Sequence, residues 1–381
     1  MSGHSHSVAR DFRTDVVSPF VETLVDREHG GNVYAWARVT GIDPDEFIDF
    51  SASINPLGPP PAARRAFRKS YEEITRYPDP DGIELKQILA KWHGLEPDEL
   101  LLGNGSTQLI YLFCAALRPR KALIVAPAFS EYRNALKLAG AAARDFALVA
   151  ENNFAFCAEK FLTQWMRDHD LAVLANPNSA AGKLIPREAI EKIAQAAHRN
   201  KSFLMIDEAF IDFVEEASVK HLVKNNPYLV VLRSLTKYFA LPGIRLGYLL
   251  AHARTVKQLA AYQDPWSVNT PAQKVALACL ADAGFRRVTD RWLRREKRFL
   301  SDALNRLKGF RPYPSAANFL LVKIEAGGAN ALGLRSFLLT RKILIRPCDS
   351  FFGLGPEYFR VAVLRRADNQ RFLDALKACT A

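Results

Sequence analysis

Short, almost unbroken apolar runs punctuate the first two thirds of the chain, at residues 122–126, 171–175, 203–206, 229–232 and 246–250. Runs of this length without alternating polar positions predict strands covered on both faces, as in a parallel sheet. Between them, apolar residues recur at helical spacing over 107–117, 131–139 and 187–200, the last opened by Pro186, a favourable first-turn residue. The alternation predicts βαβ units. After Pro271 the texture changes. Residues 272–307 predict a long, charged, amphipathic helix broken near Gly284, and strands return at 319–322, 343–346 and 358–363. The expected fold is α/β, a mostly parallel sheet covered by helices, with a smaller α+β domain after it.

Composition narrows the class. With 49% hydrophobic and 24% charged residues, and Gly and Pro spread along the chain, disorder and collagen are excluded. No run of 18 apolar residues is present. The five cysteines are odd in number and form no C-x-x-C pair, which argues against a disulfide framework or a zinc module and for a reducing cytoplasm, with no metal expected. The first residues lack the apolar stretch of a secretory signal, and His4 and His6 are too few for a metal-binding tract. Lys and Arg exceed Asp and Glu by 52 to 40, a net +12 that invites an anionic partner: nucleic acid, an anionic surface or anionic small molecules. The basic residues are dispersed, however, apart from Arg286-Arg287 and the 291–298 segment, which has the pattern of a solvated helix face.

Three local signals carry chemistry. Gly103-Asn104-Gly105-Ser106-Thr107 follows a short apolar pair and opens a helix, so its N–H groups and hydroxyls can cradle a phosphate, although many helices begin this way for structural reasons alone. Asp207 ends an apolar strand, where burial calls for a cationic partner, and strand C-terminal ends are where parallel sheets bind ligands; an acid capping a turn is the plain alternative. Ser234-Leu235-Thr236-Lys237 follows the next strand, with Arg245 close behind. An amine among apolar neighbours is partly deprotonated and can attack a carbonyl. A phosphate site, a carboxylate for a pyridinium nitrogen and an imine-forming lysine, in that order, are the needs of pyridoxal phosphate.

With these residues in place, the chain resembles the fold type I (aspartate aminotransferase-like) pyridoxal-phosphate enzymes, in the branch of histidinol-phosphate aminotransferases and threonine-phosphate decarboxylases. The resemblance rests on His29-Gly30-Gly31-Asn32, Phe50-Ser51-Ala52-Ser53-Ile54-Asn55-Pro56-Leu57-Gly58, Tyr77-Pro78-Asp79-Pro80, Asp207-Glu208-Ala209-Phe210-Ile211-Asp212-Phe213, Arg233-Ser234-Leu235-Thr236-Lys237 and Phe359-Arg360-Val361-Ala362-Val363. The first two are more similar to the decarboxylases of cobalamin biosynthesis. The resemblance implies an extension at 1–28, an arm at 29–69, a large domain at 70–270 and a small domain at 271–381.

It further implies pyridoxal 5'-phosphate as cofactor, with Lys237 and Asp207 catalytic. Gly105, Ser106, Thr107, Ser234 and Arg245 would hold the cofactor phosphate, joined by Tyr77 from the other subunit of a homodimer. Phe129 would stack on the ring, and Asn178, Ser179 and Phe210 would lie about it. Arg360 would hold the substrate carboxylate, with His29, Asn32, Asn55 and Arg346 at the substrate's phosphate end. The implied reaction is decarboxylation of threonine O-3-phosphate, and the alternatives are an aminotransferase using 2-oxoglutarate or a cofactor-binding protein without chemistry. No nucleic acid or membrane partner is expected. One departure stands out. Where the family has Asn-Pro-Asn-Asn-Pro-Thr-Gly, residues 176–182 read Asn-Pro-Asn-Ser-Ala-Ala-Gly, so Ser179 offers a shorter donor than an amide, and Phe210 replaces a tyrosine.

Overall fold

The computed structural model describes residues 29–325 and 329–380, so the 1–28 extension, with His4 and His6, lies outside the described residues. The strands in chain order are β1 (Ile48–Asp49), β2 (Leu100–Gly103), β3 (Lys121–Ala126), β4 (Ala142–Ala147), β5 (Leu171–Ala175), β6 (Phe203–Asp207), β7 (Leu229–Ser234), β8 (Gly247–Ala251), β9 (Phe310–Pro312), β10 (Phe319–Ile324), β11 (Ile343–Leu344), β12 (Arg346–Pro347) and β13 (Tyr358–Ala362).

Seven strands form one sheet in the order β2-β8-β7-β6-β5-β3-β4. The run from β7 to β4 is parallel, whereas β8 lies antiparallel to both β7 and β2. The apolar run at 246–250 marks β8 to within a residue but carries no sign of its direction. β2 escapes the pattern because it has only four residues, and β4 because it is the sheet edge, with half of its side chains in water.

Strand alternation splits the buried residues between two layers. Ile124, Val173, Met205, Val230 and Leu232 join Leu109, Phe113, Tyr132 and Leu136 of helices Gly105–Leu117 and Ser130–Leu138. Leu123, Leu174, Leu204, Ile206 and Val231 meet Phe161, Trp165, Ile190 and Ile193 of helices Ala158–Asp168 and Arg187–Asn200. Helix Thr270–Leu280 packs into this second layer through Val275, Ala276 and Cys279.

The expected long helix is therefore two. The break comes at Asp282, whose carboxylate accepts the Phe285 N–H at 2.9 Å and caps the helix Ala283–Arg306. That helix, with Arg366–Thr380, covers a four-stranded antiparallel sheet of order β12-β13-β10-β9. The predicted strand at 343–346 also divides. Its first half pairs in parallel with β1 and its second half pairs with β13, so the chain changes partners at Ile345. Phe50 follows β1 into the small domain's core, and its carbonyl accepts the Ala362 N–H at 2.9 Å. The arm is stitched to the small domain by these bonds. All five cysteines are free. Among the described residues no helix is long and apolar enough to cross a membrane.

Candidate active site

The C-terminal ends of β6 and β7 and the start of β8 meet beside the N-terminus of helix Gly105–Leu117. In the sheet register Ser234 lies opposite Gly247, and Gly247 opposite Gly103. A Cβ on Gly247 would stand 2.3 Å from the Ser106 nitrogen, and one on Gly105 would stand 2.2 Å from Arg245 Nη2. Only glycine lets the strand, the helix end and the guanidinium approach so closely. Gly105 also adopts φ +77°. Asn104 supplies no side-chain cap, so the first-turn N–H groups at Gly105, Ser106 and Thr107 are left for an anion beside Arg245. Ser234 Oγ lies 2.8 Å from Thr236 Oγ1 at the same end of the sheet. This cradle fits a phosphate.

Asp207 is buried at the end of β6. Its Oδ2 accepts the Tyr132 hydroxyl at 2.6 Å and its Oδ1 the Ala209 N–H at 2.9 Å. Burial nevertheless raises its pKa, against the pull of these donors and of Lys237, so the carboxylate is poised for one more cationic N–H. Lys237 is the converse. Burial first, then repulsion from Arg360 and Arg245, lowers its pKa from 10.5 to about 8, with Asp207 opposing. A lysine so placed is a nucleophile near neutral pH.

Directly behind these groups, alternation turns the next side chains to the other face. Glu208 and Arg233 meet there, fully buried, at 3.1 Å, and Arg233 also binds Asp212 at 2.9 Å and Glu215 at 2.5 Å. Glu208 in turn accepts from Ser218 Oγ at 2.6 Å and the Val219 N–H at 3.0 Å. The cluster ties β6 to β7 immediately beneath Asp207 and Ser234.

The rim has a different origin. Arg360 on β13 donates through Nη1 to the Ser179 carbonyl at 2.5 Å, lies 3.5 Å from the Ser51 carbonyl through Nη2, and sits over the Phe319 ring at 4.7 Å. Ser51 explains Gly30 of the His29-Gly30-Gly31-Asn32 motif, and a φ of +83° explains Gly31. A Cβ on Gly30 would fall 2.1 Å from the Ser51 carbonyl oxygen, and the Gly31 N–H donates to Ser51 Oγ at 2.8 Å. Arg346 stands opposite Arg360 in the β12–β13 register. Its Nη2 donates to Ser350 Oγ at 2.9 Å.

Asn55, Asn178 and Asn32 have side-chain polar atoms engaged within the protein. Asn55 is 2% exposed, donates to the Tyr238 carbonyl at 2.8 Å and Thr289 Oγ1 at 3.0 Å, and accepts the Leu57 N–H at 3.1 Å. Through Thr289 it braces the arm against the helix Ala283–Arg306. Asn178 donates to the Pro127 carbonyl at 2.9 Å and accepts the Ala180 and Ala181 N–H groups at 3.0 and 2.8 Å, so it shapes the 176–182 loop. Ser179 Oγ next to it is buried and, among the described residues, has no hydrogen-bond partner. Asn32 caps the helix Val33–Thr40, accepting the Ala35 N–H at 3.3 Å. His29 meets Glu131 at 2.8 Å, its ring 5.3 Å from that of Phe129. Phe210 packs edge-on against Phe319 at 5.1 Å. Tyr77 is 78% exposed, stacked on Trp266 at 4.5 Å. Sequence reasoning missed Tyr132, although it lies in the first turn of the helix that Phe129 precedes, and it missed the Glu208–Arg233 pair, which strand period sets on the face opposite Asp207.

The family described as Aminotransferase class I and II matches residues 45–376. The chain belongs to that family. It is a fold type I pyridoxal-phosphate enzyme, and the glycine-lined cradle, Asp207 and Lys237 fit that cofactor. The threonine-phosphate decarboxylase of Salmonella typhimurium is 39% identical over 356 residues, covering 93% of this chain and 97% of that protein. The crystal structure of the histidinol-phosphate aminotransferase from Clostridium acetobutylicum aligns with TM-score 0.81 at 30% identity, over 87% of this chain and 98% of that one. The L-threonine-O-3-phosphate decarboxylase from Porphyromonas gingivalis aligns with TM-score 0.77 at 27% identity and the same coverage, 87% and 98%.

Proposed function

We propose that this fold type I enzyme decarboxylates L-threonine O-3-phosphate to (R)-1-amino-2-propanol O-2-phosphate. The observation that carries the reading is the register pairing of Arg346 with Arg360. Burial, with Arg346 adding to it, lowers the Arg360 pKa to about 10, so two guanidinium groups are held close at a cost that a multiply anionic substrate offsets. A carboxylate and a phosphate on neighbouring carbons meet that requirement, and the likeness to the Salmonella decarboxylase supports the choice.

Pyridoxal phosphate, when bound, supplies an aldehyde to carry the substrate's amine and a ring to draw electrons from its Cα. Arg245 and the Gly105, Ser106 and Thr107 N–H groups would hold the phosphate. Asp207, oriented by Tyr132, would keep a proton on the ring nitrogen. Phe129 would stack on the ring, with Phe210, packed on Phe319, beside it. Arg360 orients the carboxylate so that its bond to Cα, rather than the Cα–H bond, is the one aligned for cleavage. Lys237 Nζ then returns a proton to Cα.

Exposed Tyr77, with Phe67 at 54%, Tyr71 at 73% and Ile74 at 52% exposure, supports a homodimer in which Tyr77 reaches the partner's site. The free cysteines support a reducing, cytoplasmic setting.

The test is purified holoenzyme with threonine O-3-phosphate, with and without 2-oxoglutarate. CO2 and the amine are expected in equal amounts without 2-oxoglutarate. Glutamate-linked turnover that needs 2-oxoglutarate and releases no CO2 would make the protein an aminotransferase. Serine O-phosphate should react more weakly, because one methyl group in a pocket is worth about 1–3 kcal/mol.

A further inference from the structure

Lys297 lies on the helix Ala283–Arg306, among the basic residues that the sequence assigns to a solvated face. Its neighbours Arg294 and Arg298 are exposed, but Lys297 turns inward. Its Nζ donates to the Ser315 carbonyl at 2.8 Å and the Ala317 carbonyl at 3.1 Å. Among the described residues no carboxylate pairs with it, and burial lowers its pKa to about 8. An ammonium held, among the described residues, by these two carbonyls of the 315–317 loop is retained at a cost in solvation.

That loop touches the substrate end of the cleft. The Ala316 N–H donates to the Gly182 carbonyl at 2.8 Å, and the Gly182 N–H to the Asn178 carbonyl at 2.8 Å. Gly182, at φ +67°, packs so tightly that a Cβ would lie 2.1 Å from Ser315 Oγ. The same 178–182 turn presents the Ser179 carbonyl to Arg360 Nη1 at 2.5 Å. On the far side of the loop, Asn318 Nδ2 donates to the Ser53 carbonyl at 3.0 Å, two residues from Ser51.

We propose that Lys297 is a positioning residue for substrate-carboxylate binding: it clamps the 315–317 loop of the small domain onto the 178–182 turn and so sets where Arg360 presents its guanidinium. It touches neither substrate nor cofactor. The claim rests on the assignment of Arg360 to the substrate carboxylate, not on the identity of the substrate's far end.

The experiment is stopped-flow titration of holoenzyme, the cofactor absorbance being read before turnover, with L-threonine O-3-phosphate and with L-threonine. Lys297→Met is expected to raise both dissociation constants about tenfold, as small misplacements of a binding group do. Cofactor affinity should stay within about twofold of wild type, and Lys297→Arg should recover most of the loss by donating to both carbonyls. Lys297→Gln, which keeps one donor, should fall between them and serves if the Met variant does not fold. Variants that melt earlier yet bind both ligands as wild type does would overturn the proposal, as would equal weakening of ligand and cofactor. A wild type that binds threonine as tightly as its phosphate ester would sink the phosphate reading while leaving the Lys297 comparison intact, since both ligands carry the carboxylate. An Arg360→Ala enzyme that keeps wild-type affinity for both ligands would remove the carboxylate assignment itself.

Discussion

Asp207, Ser234 and Lys237 come from the ends of two neighbouring strands, β6 and β7, and are braced from below by Arg233 and its three acids. Arg360, Arg346 and Ser51 come from the small domain and the arm, and Arg360 meets the large domain through its bond to the Ser179 carbonyl. The floor is thus rigid by construction, a set of groups at adjacent sheet positions. The rim is an assembly of distant segments whose geometry depends on how two domains sit together. Floor residues should therefore govern cofactor and chemistry together, whereas rim residues should govern substrate alone.

The largest effect belongs to the floor. Lys237→Met should cut turnover about 10⁴-fold, measured as CO2 released per enzyme, since the variant loses both nucleophile and proton carrier. Full turnover would end the account. The same change should stabilise the apoprotein. Lys237 is held at about 8 against 10.5 when free, so between those values the unfolded chain binds more protons and wild-type stability climbs as pH rises through the window. Without the lysine that part of the climb disappears, and at pH 7 the variant should melt roughly 2–4 °C higher. A lower melting temperature would mean that the amine stabilises the fold.

Next comes the rim. Arg360→Ala should lower kcat/KM for threonine O-3-phosphate about 100-fold, because a buried charge that pairs with the ligand carboxylate is lost. Cofactor absorbance should be unchanged; loss of the cofactor would erase the distinction between floor and rim. The smallest effect tests the residue that donates to Asp207. Tyr132→Phe removes one hydrogen bond to a buried carboxylate and should weaken cofactor binding about tenfold with little change in KM. A KM change in its place would move Tyr132 to the rim.

The two regions also differ in how openly the chain declares them. The floor was legible because each of its parts is local: an apolar run ending in Asp207, a second ending in Ser234 with Lys237 after it, and a glycine turn opening a helix. The rim was legible only through resemblance, and incompletely. Asn55 belongs to the right motif, yet its amide is spent on Tyr238 and Thr289, residues far along the chain. The glycine at 30 acquires its physical reason only when the Ser51 carbonyl is seen against it. The run at 343–346 has one hydrophobic pattern but two strand partners, β1 and β13, and no local signal marks the change at Ile345.

Lys297 is the sharpest case. Along the helix it is one basic residue among several with the same local propensity, and only the approach of the 315–317 carbonyls makes it a half-buried clamp. Strand identity, helix starts and the order of cofactor groups depend on residues within a turn or a strand of one another, so the linear order of side chains settles them. The partners of Arg233, Asn55, Lys297 and Arg360 depend on contacts between segments separated by tens to hundreds of residues, and burial and charge act there only after the two domains have packed.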